Sequence, residues 1–82
     1  MSMKIGQVVI STAGHDKGDL LMIAGFEKKQ VLVCDGKHRL LEKPKCKNPK
    51  HLEETEIFLE KDSMATNKKL RKTLNKIANP GG

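Results

Sequence analysis

Three short apolar runs rich in Val and Ile, Ile5–Ser11, Leu20–Phe26 and Val31–Cys34, dominate the first half of the chain. Asp16-Lys17-Gly18, Glu27-Lys28-Lys29 and Asp35-Gly36 interrupt them at short, regular spacing. Runs of this length, bounded by turn residues, read as strands, and Val31–Cys34, apolar on both faces, reads as an inner one. Asp35-Gly36 predicts a two-residue type I′ hairpin, because both central positions need positive φ. The returning strand would then pass through Leu40-Leu41. Pro44 and Pro49 keep the stretch between them extended, and His51–Thr55 adds a last short strand. Short strands with tight turns in so few residues point to a small β-barrel, which removes exposed edges. The expected core is Val8, Ile10, Leu21, Ile23, Val31, Val33 and Leu52.

The period changes after residue 62. Leu70, Leu74 and Ile77 fall at i, i+4 and i+7, one helical stripe, with Lys68, Lys69, Arg71, Lys72 and Lys76 on the other faces. Ser63 or Thr66 can cap the start. A helix this short is marginal alone, so its stripe must pack on the barrel. The 82 residues therefore divide into a barrel over 1–62, a packed helix over 63–78 and a frayed tail over 79–82.

Charge narrows the class of partner. The net charge is +6 and the pI near 9.5, a balance that favours a polyanion. The charges come in three blocks. Lys37–His51 holds six bases against Glu42, Glu53–Asp62 holds five acids against Lys61, and Lys68–Lys76 holds five bases and no acid. Phe26 and Phe58 are the only aromatics, which argues against recognition of single strands by base stacking. The longest apolar run, Leu20–Ala24, is far short of the ~20 residues of a membrane span. The N-terminus does not read as a secretory signal. Two cysteines without a disulfide framework point to a reducing compartment, and the cytoplasm is expected.

Candidate reactive groups carry little. Cys34, His38, Cys46 and His51 lie in C-x3-H and C-x4-H spacing, without the C-x2-C knuckle of small zinc modules, so no metal or other cofactor is expected. Ser11, His15 and Asp16 supply the residue types of a nucleophilic triad, but on one turn with no pocket. An enzyme is not expected. Gly14 and Gly18 do not form a nucleotide P-loop either, since no Lys-Ser or Lys-Thr follows.

The stretch from Gly6 to Gly18, with Gly18 as the central glycine and Gly14 as a second turn glycine, resembles a KOW motif. Val31-Leu32-Val33, Asp35-Gly36, Arg39 and Lys50-His51-Leu52 are similar to the archaeal and eukaryotic large-subunit ribosomal protein family fourteen-e. That resemblance covers residues 5–75 and implies an SH3-like barrel, rRNA binding and no catalysis. His15 departs from it, standing where an arginine would suit the turn.

The expectation is thus a translation-related RNA-binding protein, part of or associated with the ribosome. It is a monomer when free, contacts phosphate and RNA shape, and has no membrane partner. Lys17, Gly18, Lys37, Arg39, Lys43, Lys45, Lys47, Lys50 and His51 are the expected RNA contacts. Gly14, Gly18, Asp35 and Gly36 are the expected turn residues. Arg39 is the candidate for a bidentate contact, and backbone N–H groups around Gly18 are candidates to cradle phosphate. The strand-and-loop cations, being preorganised, should contribute more per residue than the helical lysines. Two alternatives stand: a KOW module docking ribosomal, transcription or translation proteins through the Glu53–Asp62 block, or a DNA-binding protein.

Overall fold

Adjacent Val8 and Val9 are both fully buried, which alternation permits only if both faces of their strand are covered. The computed structural model describes residues 3–80 and shows what covers them. Five strands, β1 (Gln7–Ser11), β2 (Leu20–Glu27), β3 (Gln30–Cys34), β4 (Lys45–Lys47) and β5 (Leu52–Phe58), form one antiparallel sheet in the order β4-β3-β2-β1-β5. One helix, α1 (Asn67–Ala78), follows. The protein is mainly β with a C-terminal helix.

On one face Val9 packs with Leu21, Ile23, Val31, Val33 and Leu52. On the other, Val8, Met22 and Cys34 meet Leu70 and Leu74 of α1. Burying these two leucines contributes about 1.5–3 kcal/mol each, enough to fix a helix whose lysine-rich surface would not hold it. Thr66 caps α1, its Oγ1 accepting from Lys69 N at 3.1 Å, whereas Ser63 lies in a 3₁₀ turn (Asp62–Met64) before it. The helix therefore starts later than the boundary at 63. The fraying expected of the tail concerns, for Gly81 and Gly82, positions outside the described residues.

Several local expectations are corrected. Ile10 is only half-buried, whereas its neighbour Val9, on the face opposite Val8, is fully buried. Asp35-Gly36 does not make a two-residue hairpin. Asp35 Oδ1 accepts from the backbone N–H groups of Lys37, His38 and Arg39 at 2.8–2.9 Å, closing a wider loop. Leu40 and Leu41 form no returning strand; Leu40 makes a single bridge with Lys43, and the strand resumes only at Lys45. The stretch between the two prolines is extended, as expected, and forms β4; Pro49 then opens a 3₁₀ turn (Pro49–His51), with Asn48 Oδ1 accepting from Lys50 N. The last strand runs on to Phe58, beyond Thr55. The tight two-residue hairpin of the sheet lies between Glu27 and Gln30, where Lys28 takes a φ of +56°.

Candidate nucleic-acid interface

Strand direction decides which cations meet. β1 ends, β2 begins and β3 ends on the same side of the sheet, so the Thr12–Asp19 and Asp35–Pro44 loops leave that side together. The Pro49–His51 turn joins them, since Thr12 N donates to His51 O at 2.9 Å. One end of the molecule thus gathers Lys17, Lys37, Arg39, Lys50 and His51. Lys17, Lys37, Lys43, Lys45, Lys50 and His51 are exposed and Arg39 is half-buried.

Lys47 is the exception. Its side chain is 9% exposed, and its ammonium donates to Asp16 Oδ1 at 2.7 Å, Ser11 Oγ at 2.9 Å and Ala13 O at 3.0 Å. Three N–H bonds exhaust a lysine's donors. Lys47 is therefore a structural cation tying β4 to the β1–β2 loop, not an RNA contact. Burial pushes the Asp16 carboxyl up, but the hydrogen bonds from Lys47 and Ser11 and the ammonium charge outweigh it and hold it below 3.8. Ser11 also donates to Asp16 at 2.8 Å and is 1% exposed, so two of the three triad-type residues are locked into this buried knot rather than displayed on an exposed turn.

The backbone cradle around Gly18 is corrected as well. Gly14, Gly18 and Gly36 all have positive φ, and a Cβ on Gly18 would meet nothing within 4 Å. Yet Lys17 N donates to Gly14 O, Gly18 N to Ser11 O and Asp19 N to Asp16 O. The Asp35 loop is equally satisfied, with Asp35 N and Gly36 N both donating to Arg39 O. The amides of Lys17, Gly18 and Asp19, and those from Asp35 to Arg39, are thus all engaged within the chain.

The helix carries a cationic face of its own. Lys68, Arg71, Lys72 and Lys76 border one shallow groove along α1, with no carboxylate in its lining. A second groove, about 340 Å³, runs between Gly18–Leu20, the Asp35–His38 stretch and Arg71, Leu74, Asn75 and Ala78 of α1. The structure so brings Lys37 and Arg71 to one site. The signal in the sequence was the helical spacing of 68, 71/72 and 75/76; what it lacked was the seat of the helix on the loop. That seat is Gly36: a Cβ there would clash with the backbone carbonyl of Asn67 and lie 3.0 Å from Arg71 N. Asn67 fastens the contact further, accepting from Leu41 N at 2.8 Å and donating to Glu42 at 2.7 Å. That bond, with help from Glu42's own backbone N–H, lowers the Glu42 pKa.

The remaining candidates scatter. Cys34 is buried against α1, and burial, reinforced by the Asp35 charge, pushes its thiol up to about 11. Cys46 is exposed, its Sγ 3.7 Å from Glu27 Oε2. Among the described residues, no three His, Cys, Asp or Glu side chains come close enough to hold a metal, and no helix is long and apolar enough to cross a membrane. Glu53, Glu54 and Glu56 line the edge strand β5, which ends in exposed Ile57 and Phe58. Phe58 pairs with Gln7 at the sheet end away from the Thr12–Asp19 loop, while Phe26 borders Lys28, Lys29 and Pro49.

No protein-family model matches the chain, and no curated protein matches it.

Proposed function

We propose that the chain is a KOW-type RNA-binding protein of SH3-like architecture, associated with rRNA and translation, that grips folded RNA through side-chain cations. The observation that carries this reading is the carboxylate-free face of α1, lined by Lys68, Arg71, Lys72 and Lys76, which shares Arg71 with the groove that Lys37 borders. The architecture is supported by the strand order, by the 3₁₀ turn joining β4 to β5, and by Lys47 reaching from β4 to the β1–β2 loop. With only two phenylalanines and no tryptophan or tyrosine, contact rests on phosphate and shape rather than aromatic stacking. The reading includes no catalytic step.

Binding of a folded rRNA hairpin, an unstructured strand of equal length and a DNA duplex, each measured against salt, tests it. Folded RNA should bind tightest, with a log–log slope of ~0.7–0.9 per neutralised phosphate and several phosphates involved. Co-sedimentation with ribosomal particles should weaken in parallel as salt rises. Salt-independent binding, or a preference for the unstructured strand, would refute it.

A second reading, docking of a basic protein segment, draws on the acidic edge of β5 with its exposed Ile57 and Phe58. Neutralising Glu53 and Glu56 would abolish such docking and leave RNA affinity intact or raised.

A further inference from the structure

The groove of about 340 Å³ between the β1–β2 loop, the Asp35 loop and α1 is not lined as a phosphate site would be. Asp19 and Asp35 line it together with Lys37 and Arg71, so its formal charges cancel and a bare phosphate gains little there. Its floor is apolar, made by Leu20, Leu74 and Ala78. Phosphates are better served next door, on the carboxylate-free face of Lys68, Lys72 and Lys76, which shares Arg71 and Asn75 with the groove.

A ligand for the groove itself needs apolar faces and an edge bearing both donors and acceptors, which describes a nucleobase. The volume lies at the small end of the ~300–1,000 Å³ of ligand pockets, room for one base. Asp35 has its Oδ1 filled by three backbone N–H groups. Among the described residues the Asp19 carboxylate accepts no hydrogen bond from within the chain, and the Asn75 amide makes none. A free carboxylate presents two acceptors side by side. Of the four RNA bases only guanine offers two adjacent donors on its Watson–Crick edge, N1–H and the N2 amino group, with O6 and N7 left to accept from Arg71 or Lys37. Adenine and cytosine pair one donor with an adjacent acceptor, and the single donor of uracil lies between two acceptors.

We propose that this groove receives an unpaired guanine of the bound RNA, with Asp19 selecting it and the neighbouring helix face holding the flanking phosphates. The proposal rests on the RNA-binding reading. A pool of RNA hairpins with randomised loops, retained on the protein at one salt concentration and sequenced, tests it alongside the Asp19→Asn variant. Wild type enriches unpaired guanine at one loop position about tenfold or more. Asp19→Asn loses that enrichment, while total retention of the pool rises because a negative charge has gone. Inosine at the selected position, which lacks the N2 amino group, weakens wild-type binding to the same degree as loss of the guanine. Retention with ordinary salt dependence but no guanine enrichment, or equal enrichment by Asp19→Asn, overturns the guanine assignment and leaves the RNA reading standing. No retention even at low salt removes both. Free GMP bound as tightly as the selected hairpin would make the ligand a free nucleotide and overturn the assignment to RNA.

Discussion

Lys47 Nζ stands 2.7 Å from Asp16 Oδ1, joining two residues that are far apart in sequence and belong to the edge strand β4 and the β1–β2 loop. Both side chains are largely withdrawn from water, at 9% and 16% exposure. Lys47→Ala would leave the carboxylate unpaired and cost about 2–4 kcal/mol, somewhat less than a fully buried pair because Asp16 keeps some solvent contact. In a domain of this size that is a large share of the total. Thermal melts should show Lys47→Ala strongly destabilised and Lys45→Ala, on the exposed neighbour, nearly unchanged.

The same pair carries a pH signature. Asp16 has a folded pKa below its ordinary 3.8, so its contribution is present above about that pH and is lost as pH falls through the lower folded value. Asp16→Asn keeps an acceptor for the ammonium but removes the charge. Its destabilisation, about 1–2 kcal/mol at neutral pH, should shrink towards nothing when denaturation is repeated below pH 3.8. A gap that stays constant with pH would mean the charge contributes nothing.

Two glycines of like φ should respond differently to alanine. Gly18 at +91° faces open space, so Gly18→Ala meets only the left-handed backbone penalty, about 1–2 kcal/mol. Gly36 at +81° adds a collision with the backbone of Asn67 and Arg71, which no side-chain rotation relieves. Gly36→Ala should cost clearly more and loosen α1, read as lost helical circular dichroism at temperatures where Gly18→Ala is still folded. Equal melting temperatures would contradict the close approach.

Lys37 and Arg71 line one groove, so their effects on RNA affinity should be coupled. Each alanine variant should weaken binding by about 1 kcal/mol, and the double variant by less than the sum. Lys50→Ala, on the 3₁₀ turn, should add independently to either. Lys47 must be left out of any comparison of loop with helical cations, because its loss acts through stability. Affinities at one salt concentration, with melts as control, decide it.

The thiols should separate cleanly. Cys34 is buried with its pKa raised to about 11, whereas Cys46 is exposed. A thiol reagent at pH 7–8 should label one cysteine in the native protein and two after denaturation. Fold and melting temperature should be unaffected by EDTA, because these thiols sit in no group suited to a metal.

The strands were legible because burial on both faces leaves unbroken Val- and Ile-rich runs, and the helix because Leu70, Leu74 and Ile77 keep its period. Val9 was missed because the alternation of β1 puts it on the face opposite Val8, and nothing local announces that both faces are covered. The Asp35 loop misled for a different reason. Asp-Gly favours a tight turn, but the aspartate side chain, gathering three amides, stabilises a wider one. At the interface, Lys45 and Lys47 are indistinguishable in sequence, two lysines two residues apart. Only the register, with Lys47 opposite Val31 and Lys45 opposite Val33, places one at Asp16 and leaves the other in water. Lys37 and Arg71 likewise meet through tertiary packing that local composition does not encode.

The fit of Gly36 beneath Asn67 means that α1 and the Asp35–Arg39 loop open as one unit. Fluctuations that lift the helix off Val8 and Met22 also release the loop amides from their ordered arrangement. A ligand spanning loop and helix would oppose that motion directly, by RT ln(1 + L/Kd), with L the free ligand concentration. Occupancy of the groove should therefore be visible far from any contact, as slowed amide exchange at Leu70 and Leu74 on the buried side of the helix.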